Sequence, residues 1–179
     1  MNWEDEESDE SMGRDEVRKT ALYIKAKEIM ELVQGIAALV NDDPKYDSEE
    51  FDAHREMTLF SMNEMISSST QMYVKVAAHY GPSLYDLKME AATLIRMHAM
   101  RVNLNIAGLE MGGYSENDYF QVLRDAIEEF RVLFAEWVKT FDQWDYVIDR
   151  WGVFNPPGVN YDDKDPDDDI PFDNPLSDM

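Results

Sequence analysis

The spacing of the apolar residues constrains this chain more than any other feature. From Val17 to Trp151 they recur every three or four positions, in four runs parted by helix-stop signals. Nowhere do they alternate with polar residues as a half-buried strand requires. The first run, Val17, Ala21, Ile24, Ile29, Leu32, Val33, Ile36, Leu39 and Val40, predicts a helix from Arg14 to Val40, closed by Asn41 and Pro44. Ser48, followed by Glu49 and Glu50, is the expected N-cap of a second helix. Its stripe comprises Phe51, Leu59, Met62, Met65, Ile66, Met72, Tyr73, Val76 and Tyr80, and it stops at Gly81-Pro82. Ser69 projects onto the middle of that stripe, which predicts a bend or a close helix approach.

Ser83 with Asp86 predicts a capping box at the start of a third helix, whose inward residues are Leu84, Leu87, Ala91, Leu94, Ile95, Val102, Ile106 and Leu109. Gly112-Gly113 closes it. Ser115 with Asp118 repeats the start signal. The fourth stripe, Tyr119, Leu123, Phe130, Leu133, Phe134, Trp137, Phe141, Trp144, Ile148 and Trp151, predicts a helix that continues until Pro156-Pro157 forbids it. Short connections make sequential helices neighbours, so the expectation is an all-α antiparallel up-and-down four-helix bundle over residues 14–155. Residues 1–13 and 156–179 lack apolar periodicity and read as disordered acidic tails.

Charge separates tail from body. Of the formal −22, residues 1–16 hold eight carboxylates against Arg14, and residues 161–179 hold eight against Lys164, so each end carries −7 and the body −8. Phosphate contacts need clustered Lys and Arg, so direct nucleic-acid binding and binding to an anionic membrane are both disfavoured. A basic protein partner fits, although acidic tails also serve solubility alone. No uninterrupted apolar run approaches a membrane span, and the acidic N-terminus is unlike a secretory signal. Cysteine is absent, which removes disulfides, thiolate metal sites and cysteine nucleophiles. The expected location is the cytoplasm.

Candidate chemistry is sparse. His98 falls near the centre of the third helix's apolar face, with Asn105 two turns on and Arg101 at the edge; Lys25 falls inside the first stripe, with Glu28 at its margin. Facing helices could unite Lys25, Glu28, His98, Arg101 and Asn105 in a buried polar layer. Such a layer either fixes helix register by mutual hydrogen bonding or makes a small-ligand or general-base site. A carboxylate-bridged metal in a helical bundle needs Glu-x-x-His on two helices, but Phe51, Val76 and Ile95 stand three positions before His54, His79 and His98. Met57, Met62, Met65, Met72, Met97 and Met100 read as adaptable packing. No phosphate loop or nucleophile elbow occurs, so no metal, cofactor or catalytic residue is expected.

The acidic end is more specific. Asp167-Asp168-Asp169-Ile170-Pro171-Phe172 resembles the acidic C-terminal tip of bacterial single-stranded DNA-binding proteins, over six residues of the 179. The resemblance implies that Phe172 anchors in a basic, apolar pocket of a DNA-maintenance protein, with Ile170 and Pro171 as its shoulder and Asp167, Asp168 and Asp169 as steering charges. In that family the phenylalanine carries the terminal carboxylate, whereas seven residues follow Phe172. The KMEAATLIR and FAEWVKTFD stretches of the body loosely resemble uncharacterised bundle proteins of Bacteroides-type bacteria, which implies no function. The expectation is therefore a non-enzymatic interaction or adaptor protein that offers residues 167–172 to a basic partner. The alternatives are a ligand-binding or enzymatic bundle built on the His98 and Asn105 layer, and an acidic decoy for a nucleic-acid-binding protein.

Overall fold

A computed structural model of the chain describes residues 13, 15–44, 52–81, 83–114 and 117–164. Their regular secondary structure is entirely helical: α1 (Ala21–Asp42), α2 (Ala53–His79), α3 (Tyr85–Met111) and α4 (Asn117–Val138) carry the core, and no strand occurs among the described residues. The acidic stretches 1–12 and 165–179 lie outside them, as does the segment Asp167–Phe172.

The first helix begins later than its periodicity predicts. A helical turn over residues 15–18 is cut off from α1 at Thr20, whose backbone is extended. The Thr20 hydroxyl donates to the Val17 carbonyl at 2.7 Å and accepts from the Tyr23 amide at 3.4 Å. Such local side-chain bonds offer the backbone an alternative to helix and make threonine a cap. The Ser48 cap lies outside the described residues; Asp52 caps α2, accepting from the His54 amide at 2.9 Å.

The capping box expected at Ser83 does not form. Leu84 is the N-cap of α3 and makes no side-chain bond, and the orphan amides of this helix start are served from a distant segment. Tyr85 donates its amide to the Asp145 carbonyl at 2.7 Å, and Asp86 spends its carboxylate on the amide of Val147 at 3.1 Å.

That distant segment exists because the fourth helix stops at Val138, thirteen residues before Trp151. Residues 139–164 instead form a non-helical strap. The Thr140 hydroxyl takes the Trp137 carbonyl at 2.7 Å, and the Asp142 carboxylate takes the Trp144 amide at 3.0 Å. Asp149 does more: its two carboxylate oxygens accept from the amides of Trp151, Val153 and Phe154 at 2.8–2.9 Å. These bonds hold its carboxyl below the usual carboxylate range. Gly152, at φ +71, takes the left-handed turn that this wrapping needs. Arg150 then clamps the far end, donating to the carbonyls of Tyr161 and Asp163 at 3.0 and 2.8 Å, so hydrogen-bonded structure runs past residue 155. As a result Trp144 and Trp151, expected inside, are 90% and 92% exposed, while Phe141 and Ile148 are buried.

The core gathers Ile29, Val33 and Val40 of α1, Met65, Met72 and Val76 of α2, Ile95, Val102, Ile106 and Leu109 of α3, and Phe120, Leu123 and Phe130 of α4. The α1 helix packs on α2 and α4, and the closest pairing is α2 with α3. There Gly108 and Gly112, one turn apart, lie against Ser61 and Thr58. A β-carbon at Gly112 would collide with Thr58 Oγ1 and sit 3.1 Å from the His54 carbonyl oxygen; one at Gly108 would collide with Ser61 Oγ. Small residues spaced in this way allow two helix backbones to approach. Ser68 and Ser69 are buried on the same side of α2, which accounts for the serine in the middle of its stripe.

Candidate interaction surface

The five residues of the expected polar layer divide between two places. Lys25 of α1 reaches both Glu28 and Glu129 of α4, each at 2.6 Å, and these carboxylates, Glu129 first, hold its ammonium above the ordinary lysine range. It ties α1 to α4. His98 belongs to α3, the helix paired most closely with α2, and feels the charge of Lys75 on α2. It is buried, and its Nδ1 has no hydrogen-bond partner among the described residues. Burial first, then the positive charges of Arg101 and Lys75, push the imidazole toward its neutral form. Asn105 turns back on its own helix, its Nδ2 donating to the Arg101 carbonyl at 2.9 Å, and the Arg101 side chain is exposed.

Two interior polar groups carry no obvious sequence signal. Lys88 is buried in place of Leu87, which is 45% exposed. Counting back by sevens from Leu109, Val102 and Ile95 lands on Lys88, so the heptad held the answer although the residue type hid it. The lysine stem packs inward and its ammonium lies 5.3 Å from the centroid of Phe141, a strap residue; burial lowers its pKa. The hydroxyls of Tyr23 and Tyr73 bond to each other across α1 and α2 with ring centroids 5.2 Å apart, and that bond raises the Tyr73 pKa.

On the outside, α3 has a second apolar face. Met97, Met100, Leu104 and Met111 follow one another along it, and the last three are 56%, 71% and 68% exposed. This face runs into a groove of about 640 Å³ between α3 and α4, floored by Ala99, Ile127, Phe130, Phe134 and Val138 and rimmed by Arg96, Asn103, Glu128 and Arg131. The groove is open because α3 and α4 touch only sparingly.

No family model, curated protein or solved structure matches this chain. Its surfaces must be read from their own chemistry. Among the described residues no three His, Asp or Glu side chains converge as a metal ion would need, and no helix is long and apolar enough to cross a membrane. Two exposed features remain. One is the strap, with Trp144 and Trp151 in solvent beside Val147, Val153 and Tyr161. The other is the arginine-flanked outer face of α3.

Proposed function

We propose that this chain is a non-enzymatic interaction or adaptor protein: an antiparallel up-and-down four-helix bundle that offers the acidic, apolar segment Asp167–Phe172 to a basic protein partner. The observation that carries the reading is the strap. It holds two tryptophans almost fully in solvent, Trp144 on backbone fixed by Asp142 and Trp151 on backbone fixed by Asp149, and it leads directly into the acidic segment. Tryptophan is the side chain most enriched where binding energy concentrates, and a pre-ordered platform avoids part of the entropy cost of association. Asp142, Asp145, Asp162 and Asp163 on the strap extend the negative charge of the segment, so one acidic-aromatic surface and its continuation would face a cationic partner. The enzymatic alternative has less support, because Lys25 pairs with Glu28 and with Glu129 of α4 while Asn105 bonds back to its own helix α3, away from that pair.

Binding of the full chain to a DNA-maintenance enzyme that reads single-stranded DNA-binding-protein tips tests this. Phe172→Ala should weaken binding about 30-fold, roughly 2 kcal/mol, by deleting a buried ring. Asp167→Asn with Asp168→Asn should chiefly slow association and flatten its salt dependence. A chain ending at Phe172, which restores a terminal carboxylate, should bind more tightly. Failure of both the full and the shortened chain to bind at tens of micromolar in low salt would overturn the reading.

A further inference from the structure

In a chain with 38 carboxylates and 16 Lys or Arg, nearly every arginine should find a carboxylate. Among the described residues Arg18, Arg55, Arg124 and Arg131 do, pairing with Asp15, Glu56, Glu110 and Glu128, and Arg150 is consumed by two carbonyls. The guanidinium groups of Arg96 and Arg101 make no hydrogen bond or ion pair there. Both are exposed, both flank the α3 stripe of Met97, Met100 and Leu104, and Arg96 also rims the α3–α4 groove. Between Glu90 and Glu110 the helix carries no carboxylate at all. An acidic protein has thus kept one apolar surface cationic, and an occupant matching it would be apolar and anionic.

This chain contains such an occupant. We propose that the outer face of α3 and the groove beside it bind the chain's own segment Asp167–Phe172 in cis, masking it from its partner until the partner competes it away. The inference rests on the adaptor reading for its purpose, though not for its geometry. Asp167, Asp168 and Asp169 would meet Arg96 and Arg101, while Ile170 and Phe172 would cover Met97, Met100 and the phenylalanine floor. The connection is short enough. The α3–α4 groove starts at Val138, where the strap begins; the strap is tied to Tyr85 and Asp86 at the start of α3, and Arg150 holds Asp163 to it. From Asp86 to Arg96 the helix rises about 15 Å. The five peptide units from Lys164 to Asp169 can span up to about 17 Å and the eight to Phe172 up to about 27 Å, so Arg96 lies within the backbone reach of Asp169 and Arg101 is reached with the length of its own side chain.

The absence of cysteine supplies a clean test. With Asn174→Cys carrying a nitroxide in the full chain, the methyl signals of Met97 and Met100 should broaden more than those of Met62 and Met65 in the core. Replacing Arg96 and Arg101 with Glu, or more mildly with Gln, should abolish the difference, since both side chains are in solvent and the fold does not depend on them. If the segment is docked nine-tenths of the time, the same charge reversal should raise its apparent affinity for the tip-reading enzyme about tenfold. No selective broadening at Met97 and Met100, or broadening that survives charge reversal, overturns cis docking. So does broadening seen when the nitroxide is on a separate molecule from the observed methyls and absent when it is on the same one, which would make the occupant a second copy. The two readings fail separately: Phe172-dependent enzyme binding without broadening leaves the adaptor and removes the mask, and broadening without enzyme binding does the reverse.

Discussion

His98 is a buried base whose Nδ1 has no partner among the described residues, so its contribution to stability is a matter of sign rather than of contacts. Its folded-state pKa lies below the ordinary value of about 6.5, and the unfolded chain therefore binds the proton more readily than the folded one. Stability associated with His98 is present in full above that ordinary value and declines as pH falls through it. The half-buried His79, lowered first by burial and then by Lys75, acts in the same direction. Urea unfolding at about pH 7.5 and about pH 5.5 should show a loss at the lower pH that His98→Leu makes smaller. At the higher pH that substitution should change stability by no more than about 1–2 kcal/mol, because an apolar replacement removes both the desolvated nitrogen and its unmet bond. An unchanged pH response in the variant would assign the titration elsewhere. The sequence shows His98 on an apolar face; which group acts on it, Lys75 of α2 rather than Lys25 and Glu28, depends on which helices pair.

At the scale of elements, the α2–α3 pairing is decided by two glycines, and three substitutions separate space from propensity. Gly112→Ala should destabilise by about 1–3 kcal/mol, because its β-carbon meets the backbone of His54 and Thr58, which cannot step aside. Gly108→Ala should cost less. Its main obstacle is the Ser61 hydroxyl, which can rotate, and alanine returns about 1 kcal/mol of helix propensity. Gly35 lies exposed within α1 with open space around it, so Gly35→Ala should stabilise by up to about 1 kcal/mol. Thermal or urea unfolding of the three variants checks the order; destabilisation by Gly35→Ala together with tolerance of Gly112→Ala would refute the close approach. The spacing Gly108-x-x-x-Gly112 was open to view in the sequence. Reading Gly112 only as a helix stop concealed its second duty, since it both ends α3 and admits Thr58.

The molecule as a whole carries −22, and its like charges repel one another more in the compact state than in the extended one. Raising sodium chloride from about 10 mM to about 0.5 M should therefore raise the melting temperature, because screening relieves that repulsion while the exposed ion pairs it also weakens are worth only about 0–1 kcal/mol each. A falling melting temperature would mean that pairs such as Lys25 with Glu28 and Glu129 outweigh the net charge. The sequence by itself determined the all-helical class, the approximate helix positions and the charge distribution, because periodicity, caps and net charge are local or additive properties. It placed Phe130, Trp137 and Phe141 inside for the same reason. Only the tertiary structure decided where the fourth helix ends. The aromatic spacing persists through Trp144, Ile148 and Trp151, but the carboxylates of Asp142 and Asp149 capture amides that a helix would have used, and Asp86 and Tyr85 anchor the resulting strap from 60 residues away. Competition between a local period and a long-range bond is settled by what lies nearby in space, and no window of sequence contains that information.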